Sequence, residues 1–100
     1  MIRLENKRTY RGAGVYIGRP SLFGNPFEIG MHGEREDVIR LYRRWLWDRI
    51  NERGEVYAGL KRLANLAKQG DLTLICWCFP KSCHGEVVGC AVEYLNSIGD

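Results

Sequence analysis

Leu72-Thr73-Leu74-Ile75-Cys76-Trp77-Cys78-Phe79-Pro80-Lys81-Ser82-Cys83-His84-Gly85 begins as a short apolar run and ends where a helix-like pattern sets in. Its last ten residues hold three of the four cysteines and one of the two histidines. The stretch reads as a strand, a reactive loop and a helix start. At a helix start the first N–H groups lack partners and the backbone dipoles leave partial positive charge. Thiols and an imidazole gathered there suit a metal ion, an activated thiolate or a bound anion.

Working outward, Val15-Tyr16-Ile17 is a β-branched and aromatic run stopped by Gly18, as expected of a core strand. Gly18 to Phe27 is too rich in Gly, Pro and Asn to be regular, and reads as a shaped loop. Val38, Leu41, Tyr42, Trp45, Leu46 and Ile50 recur at three- and four-residue steps, with acidic Glu34, Glu36 and Asp37 ahead of them. A second helical pattern carries Leu60, Leu63, Ala64 and Ala67, and a third Val87, Val88, Ala91, Val92 and Leu95. The expectation is a single small α/β domain over 1–100. Its short, mainly parallel sheet would use strands near 2–6, 15–18 and 72–76, with helices at about 34–53, 56–69 and 84–97. If the strands at 15–18 and 72–76 run parallel, loops 18–27 and 76–85 leave the sheet on one edge, the edge where open α/β sheets bind ligands.

One hundred residues bury about 60–65% of the unfolded surface, so a ligand, metal or dimer contact would add usefully to stability. The net charge is only +3, but eleven of the fifteen basic residues are arginine, whose planar fork grips carboxylates and phosphates in two places. An anionic partner is expected. No stretch is apolar enough to span a membrane, no charged-then-apolar leader opens the chain, and the cysteines crowd one segment instead of stapling loops. These features together point to a cytoplasmic protein with reduced thiols.

Three readings of the thiol loop stand side by side. In a strand, Cys76 and Cys78 share a face, and with Cys83 and His84 they could surround one zinc ion. Alternatively, Cys83 at a helix start beside Lys81 is a nucleophile, with His84 and Glu86 as acid–base groups. Or the cysteines are small hydrophobes, with Ser82 as the helix cap. Cys90, two turns further on among Val87 and Ala91, reads as core. In the first loop, Arg19 would hold an anion while Ser21 and Asn25 orient it, and Gly24 permits close approach. The bland alternative makes Asn25-Pro26 a turn with Phe23 and Phe27 as plugs, and His32 a loop-packing residue. On the long helix, Arg40, Arg43 and Arg44 surround Trp47. This face suits a homodimer contact or nucleic acid, or is simply solvated.

Val15-Tyr16-Ile17-Gly18-Arg19-Pro20-Ser21, followed by Gly24-Asn25-Pro26-Phe27 and later by Cys76-Trp77-Cys78, Pro80 and Cys83-His84-Gly85-Glu86-Val87, resembles a domain family of phage and bacterial genomes known as a domain of unknown function. Glu86 stands where that family usually has Asp, which keeps the carboxylate and lengthens it. The resemblance implies a phage-type accessory protein, in host cytoplasm, and supplies no reaction. The residues themselves favour one pocket, formed by loops 18–27 and 76–85, for a phosphorylated or nucleotide-like small molecule. In it Arg19, Ser21, Asn25, Cys76 and Cys78 would bind, and Cys83, His84 and Glu86 would carry any chemistry. The rival is a zinc-stabilised module binding nucleic acid or protein through the Arg40/Arg43/Arg44/Trp47 face.

Overall fold

A computed structural model describes residues 1–99 of the chain. The element order is β1 (Ile2–Asn6), β2 (Val15–Tyr16), α1 (Arg35–Glu52), α2 (Glu55–Gln69), β3 (Leu72–Cys76) and α3 (His84–Ser97). The strands form one sheet in the order β1-β3-β2. β3 pairs in parallel with both neighbours, from Ile2 opposite Leu72 to Asn6 opposite Cys76 on one side, and Val15 opposite Leu74 on the other. The expected α/β class and parallel sheet are therefore observed.

β3 is the organising strand. Its residues alternate, with Leu72, Leu74 and Cys76 buried and Thr73 and Ile75 half-buried on the opposite face. The first set enters the core with Leu60, Leu63 and Ala64 of α2 and Val88, Val92 and Leu95 of α3. The other set lies under the 7–14 connection. A Cβ on Gly14 would come within 2.9 Å of the Thr73 carbonyl and closer still to the Ile75 side chain, so glycine lets the connection cross the sheet at this height.

α1 starts with a capping box: the Glu34 N–H donates to Asp37 Oδ2 at 2.9 Å while the Glu34 side chain accepts from the backbone of Asp37. The Glu34 N–H, and then Arg40, hold the Asp37 carboxyl below its ordinary range. Val38, Tyr42, Leu46 and Ile50 form the buried stripe. β2 is shorter than the expected 15–18. Ile17 N–H still donates to the Ile75 carbonyl at 2.9 Å, but the Gly18 carbonyl accepts from Ser21 N–H, and this turn carries the chain off the sheet. α3 begins at His84, and its cap is Cys83 rather than Ser82: the Cys83 sulfur accepts from Gly85 N–H at 3.3 Å. No helix among the described residues is long and apolar enough to cross a membrane.

Cys90 corrects the sequence reading. It is exposed, because the buried stripe of α3 runs through His84, Val87, Val88, Ala91, Val92 and Leu95 and leaves position 90 on its flank, toward α1. Because all pairing in the sheet passes through β3, Leu74→Ala should cost about 2–5 kcal/mol of unfolding free energy. Leu66→Ala, on the exposed side of α2, should stay within about 0.5 kcal/mol. Urea titration of the two variants measures both.

Candidate functional site

Parallel pairing puts the ends of β2 and β3 on the same edge of the sheet, and the start of α3 returns to it. The two irregular loops meet there and enclose a cavity of about 600 Å³. Side-chain hydrogen bonds hold the loops in place. Trp77 Nε1–H donates to the Tyr16 hydroxyl at 2.9 Å, and that hydroxyl donates to the Arg19 carbonyl at 2.7 Å, tying one loop to the other. Asn6, at the end of β1, donates to the carbonyls of Trp77 and Phe79. Tyr42 donates from deep in the core to the Phe23 carbonyl at 2.7 Å, and Asn25 donates to the Val38 carbonyl, so α1 carries the first loop. Both loops contain a cis X-Pro bond, at Arg19-Pro20 and Phe79-Pro80.

Of the residues singled out by sequence, Arg19, Asn25, Cys78, Cys83 and His84 line this cavity. Ser21 does not: its hydroxyl accepts from Phe23 N–H and shapes the turn. Asn25 is engaged on both ends, since its carbonyl also accepts from Phe27 N–H. Cys76 is fully buried behind Cys83. Glu86 is exposed and outside the cavity, because two residues along a helix turn the side chain about 200° from that of His84. His32 packs its own loop, accepting from Glu28 N–H and meeting Phe27 edge-on.

His84 forms the floor. Its Nε2 lies 2.7 Å from the Ile17 carbonyl, a contact that only the N–H form can satisfy, and its ring meets Tyr42 edge-on at 5.0 Å. That bond assigns the proton to Nε2 and leaves Nδ1 as an acceptor. Burial, helped by the Arg19 charge and opposed by the Ile17 bond, lowers the imidazole pKa, so the neutral ring prevails at neutral pH. Cys83 takes its bonds from Cys76 and Gly85, so the adjacent Cys83 and His84 do not form a nucleophile–base pair.

The sulfurs of Cys76 and Cys83 are 3.3 Å apart. Their hydrogen bond, strengthened by N–H groups of Phe79 and Cys78, overrides burial and holds the Cys76 thiol down to about 6, while the same bond and burial push Cys83 up. The pair thus releases its first proton readily and keeps its second. Among the described residues no three His, Cys, Asp or Glu side chains gather so as to hold a metal ion, and His84 Nε2 is committed to Ile17. The expected zinc set of Cys76, Cys78, Cys83 and His84 does not fit this arrangement.

Arg35, Glu28 and Trp77 also line the cavity, and the sequence reading gave none of them a binding role. Arg35 donates to the Ser82 carbonyl at 3.0 Å and joins α1 to the thiol loop. Its signal was available: a cation in the first turn of a helix opposes the dipole. Glu28 pairs with Arg19 at 3.0 Å, both partly exposed. Trp77 is 53% exposed and faces the cavity. On the far side of α1, Arg40 pairs with Asp37, Arg43 and Arg44 are exposed, and Trp47 meets Tyr94 edge-on at 5.0 Å.

The folded pair deprotonates earlier than an unfolded thiol of pKa about 8.5, so between about pH 6 and 8.5 the unfolded chain binds more protons and stability rises with pH. Ultraviolet thiolate absorbance should show one thiolate forming with a midpoint near 6. Cys83→Ala should move that midpoint up toward an ordinary thiol.

No curated protein and no solved structure matches the chain. A family model matches residues 2–94, the span that holds both loops, all three strands and most of α3. The chain therefore belongs to the family described as a domain of unknown function, DUF4326.

Proposed function

We propose that the cavity binds a phosphorylated, nucleotide-like small molecule. The observation that carries this reading is the meeting of two guanidinium groups, Arg19 and Arg35, and the exposed Trp77 indole around one cavity floored by a neutral imidazole. About 600 Å³ lies within the range of small-molecule sites, about 300–1,000 Å³. Arg19 reaches its present partner Glu28 through an exposed ion pair, a type worth about 0–1 kcal/mol, so a ligand phosphate exchanges with that carboxylate at small cost. Arg35 sits across the cavity mouth, held by Ser82. Trp77, with its N–H already satisfied by Tyr16, offers a flat apolar surface for a base.

His84 contributes an acceptor, Nδ1, to a hydroxyl or amino group of the ligand. A base with this fixed tautomer suits proton abstraction more than nucleophilic attack assisted by the neighbouring thiol. Binding without turnover uses the same contacts. The Arg40/Arg43/Arg44/Trp47 face gains no comparable support, since the zinc site that was to stabilise it has no fitting donor set.

Calorimetry with a panel of nucleoside monophosphates, the parent nucleosides and inorganic phosphate tests the reading. A monophosphate should bind more tightly than its nucleoside. Arg19→Ala and Arg35→Ala should each weaken it about tenfold or more, the scale of a charged hydrogen bond of about 1.5–3 kcal/mol. Arg40→Ala should leave it unchanged. Affinity insensitive to both Arg19 and Arg35 would remove the proposal.

A further inference from the structure

The floor of the cavity holds a second arrangement that ligand binding does not require. Cys76 ends β3 and Cys83 caps α3, and their sulfurs touch at 3.3 Å. Neither is in a disulfide. Cys76 is fully buried, while Cys83, though only 3% exposed, lines the cavity. Buried cysteines commonly act as small hydrophobes. Mere packing, however, does not need two thiols sulfur to sulfur with one of them at the wall of an open cavity. The Gly85 N–H that caps α3 through the Cys83 sulfur also favours negative charge on that sulfur.

We infer that Cys76 and Cys83 form a two-electron redox site, a dithiol that closes reversibly to a disulfide when a peroxide enters the cavity. The pair, having released one proton, passes the one it keeps across the 3.3 Å contact from Cys83 to Cys76, and the Cys83 sulfur, now the thiolate at the cavity wall, attacks one oxygen of hydrogen peroxide. The O–O bond breaks, its electron pair leaves on hydroxide, and hydroxide takes a proton to become water, leaving Cys83 as a sulfenic acid. The Cys76 sulfur then attacks the Cys83 sulfur. The S–S bond forms, the S–O bond breaks, and the departing hydroxide takes the Cys76 proton as a second water. In sum, two thiols and one hydrogen peroxide give one disulfide and two waters, with sulfur oxidised and peroxide oxygen reduced. A small dithiol reductant restores both thiols by exchange. The partner at 3.3 Å intercepts the sulfenic acid before further oxygen adds.

Cys78 is the competitor to be ruled in or out, because it is half-buried and lines the same cavity as Cys83. The sequence makes the distinction practical: cleavage after Lys68 and Lys81 puts Cys76 and Cys78 on one peptide, 69–81, and Cys83 and Cys90 on another, 82–100. The folded wild-type chain is exposed to limiting hydrogen peroxide, denatured, alkylated and digested, and the linked peptides are fragmented. The expected result is a fall from four alkylatable thiols to two, loss of the mass of two hydrogen atoms, and a Cys76–Cys83 crosslink with Cys78 and Cys90 alkylated, all reversed by a dithiol reductant. A Cys78→Ser, Cys90→Ser double variant, which leaves both core thiols in place, should give the same crosslink. A crosslink through Cys78 or Cys90, addition of two or three oxygens to Cys83 without a crosslink, or four thiols still alkylatable would each overturn the inference. The wild-type mapping decides the matter even if Cys76→Ser or Cys83→Ser fails to fold.

Discussion

The hydrogen bond between His84 Nε2 and the Ile17 carbonyl fastens the first residue of α3 to the chain as it leaves β2. A buried carbonyl at a strand end needs a donor, and a buried imidazole needs a partner that fixes its tautomer; each satisfies the other. The consequence reaches beyond the pair. With the ring held there and braced by Tyr42, Cys83 is drawn against Cys76, and the helix start closes the bottom of the cavity whose rim the two loops supply. Gly85 belongs to the same constraint, since a Cβ on it would come within 2.8 Å of Leu4 and 3.2 Å of the Cys83 sulfur.

The cavity divides its chemistry by depth. The floor is buried and short of formal positive charge: a neutral histidine, two touching sulfurs and the N–H groups of a helix start. The rim is wet and charged, with Arg19 over half exposed and paired to Glu28, and Arg35 leaning on the thiol loop. Charges at the rim attract an anion through solvent while avoiding the large desolvation cost of a buried guanidinium. A ligand bridging the two levels would leave its phosphate near the rim and present its uncharged part to His84.

Much of the fold was legible because burial imposes period. The alternation of Leu72, Leu74 and Cys76 and the 3.6-residue spacing of Val38, Tyr42, Leu46 and Ile50 can be satisfied by only one element each. The convergence of the loops followed from the direction of two strands. Side-chain direction at the helix start did not follow, because it depends on the first helical residue. With α3 beginning at His84, Glu86 turns away from the cavity and Cys90 falls on the flank. The zinc set does not fit for a related reason: donors close in sequence need not share one point in space, and here His84 Nε2 is committed to Ile17 while Cys76 sits behind Cys83. Arg35 was missed because it looked like one of many helix arginines; only its place in the first turn set it apart.

Two-dimensional amide NMR during titration with a nucleoside monophosphate tests the shared cavity most directly. The account predicts concerted shifts in both loops, at 18–27 and 76–85, together with Arg35 and the start of α3. Shifts confined to Arg43, Trp47, Cys90 and Tyr94 between α1 and α3, or to one loop alone, would contradict it.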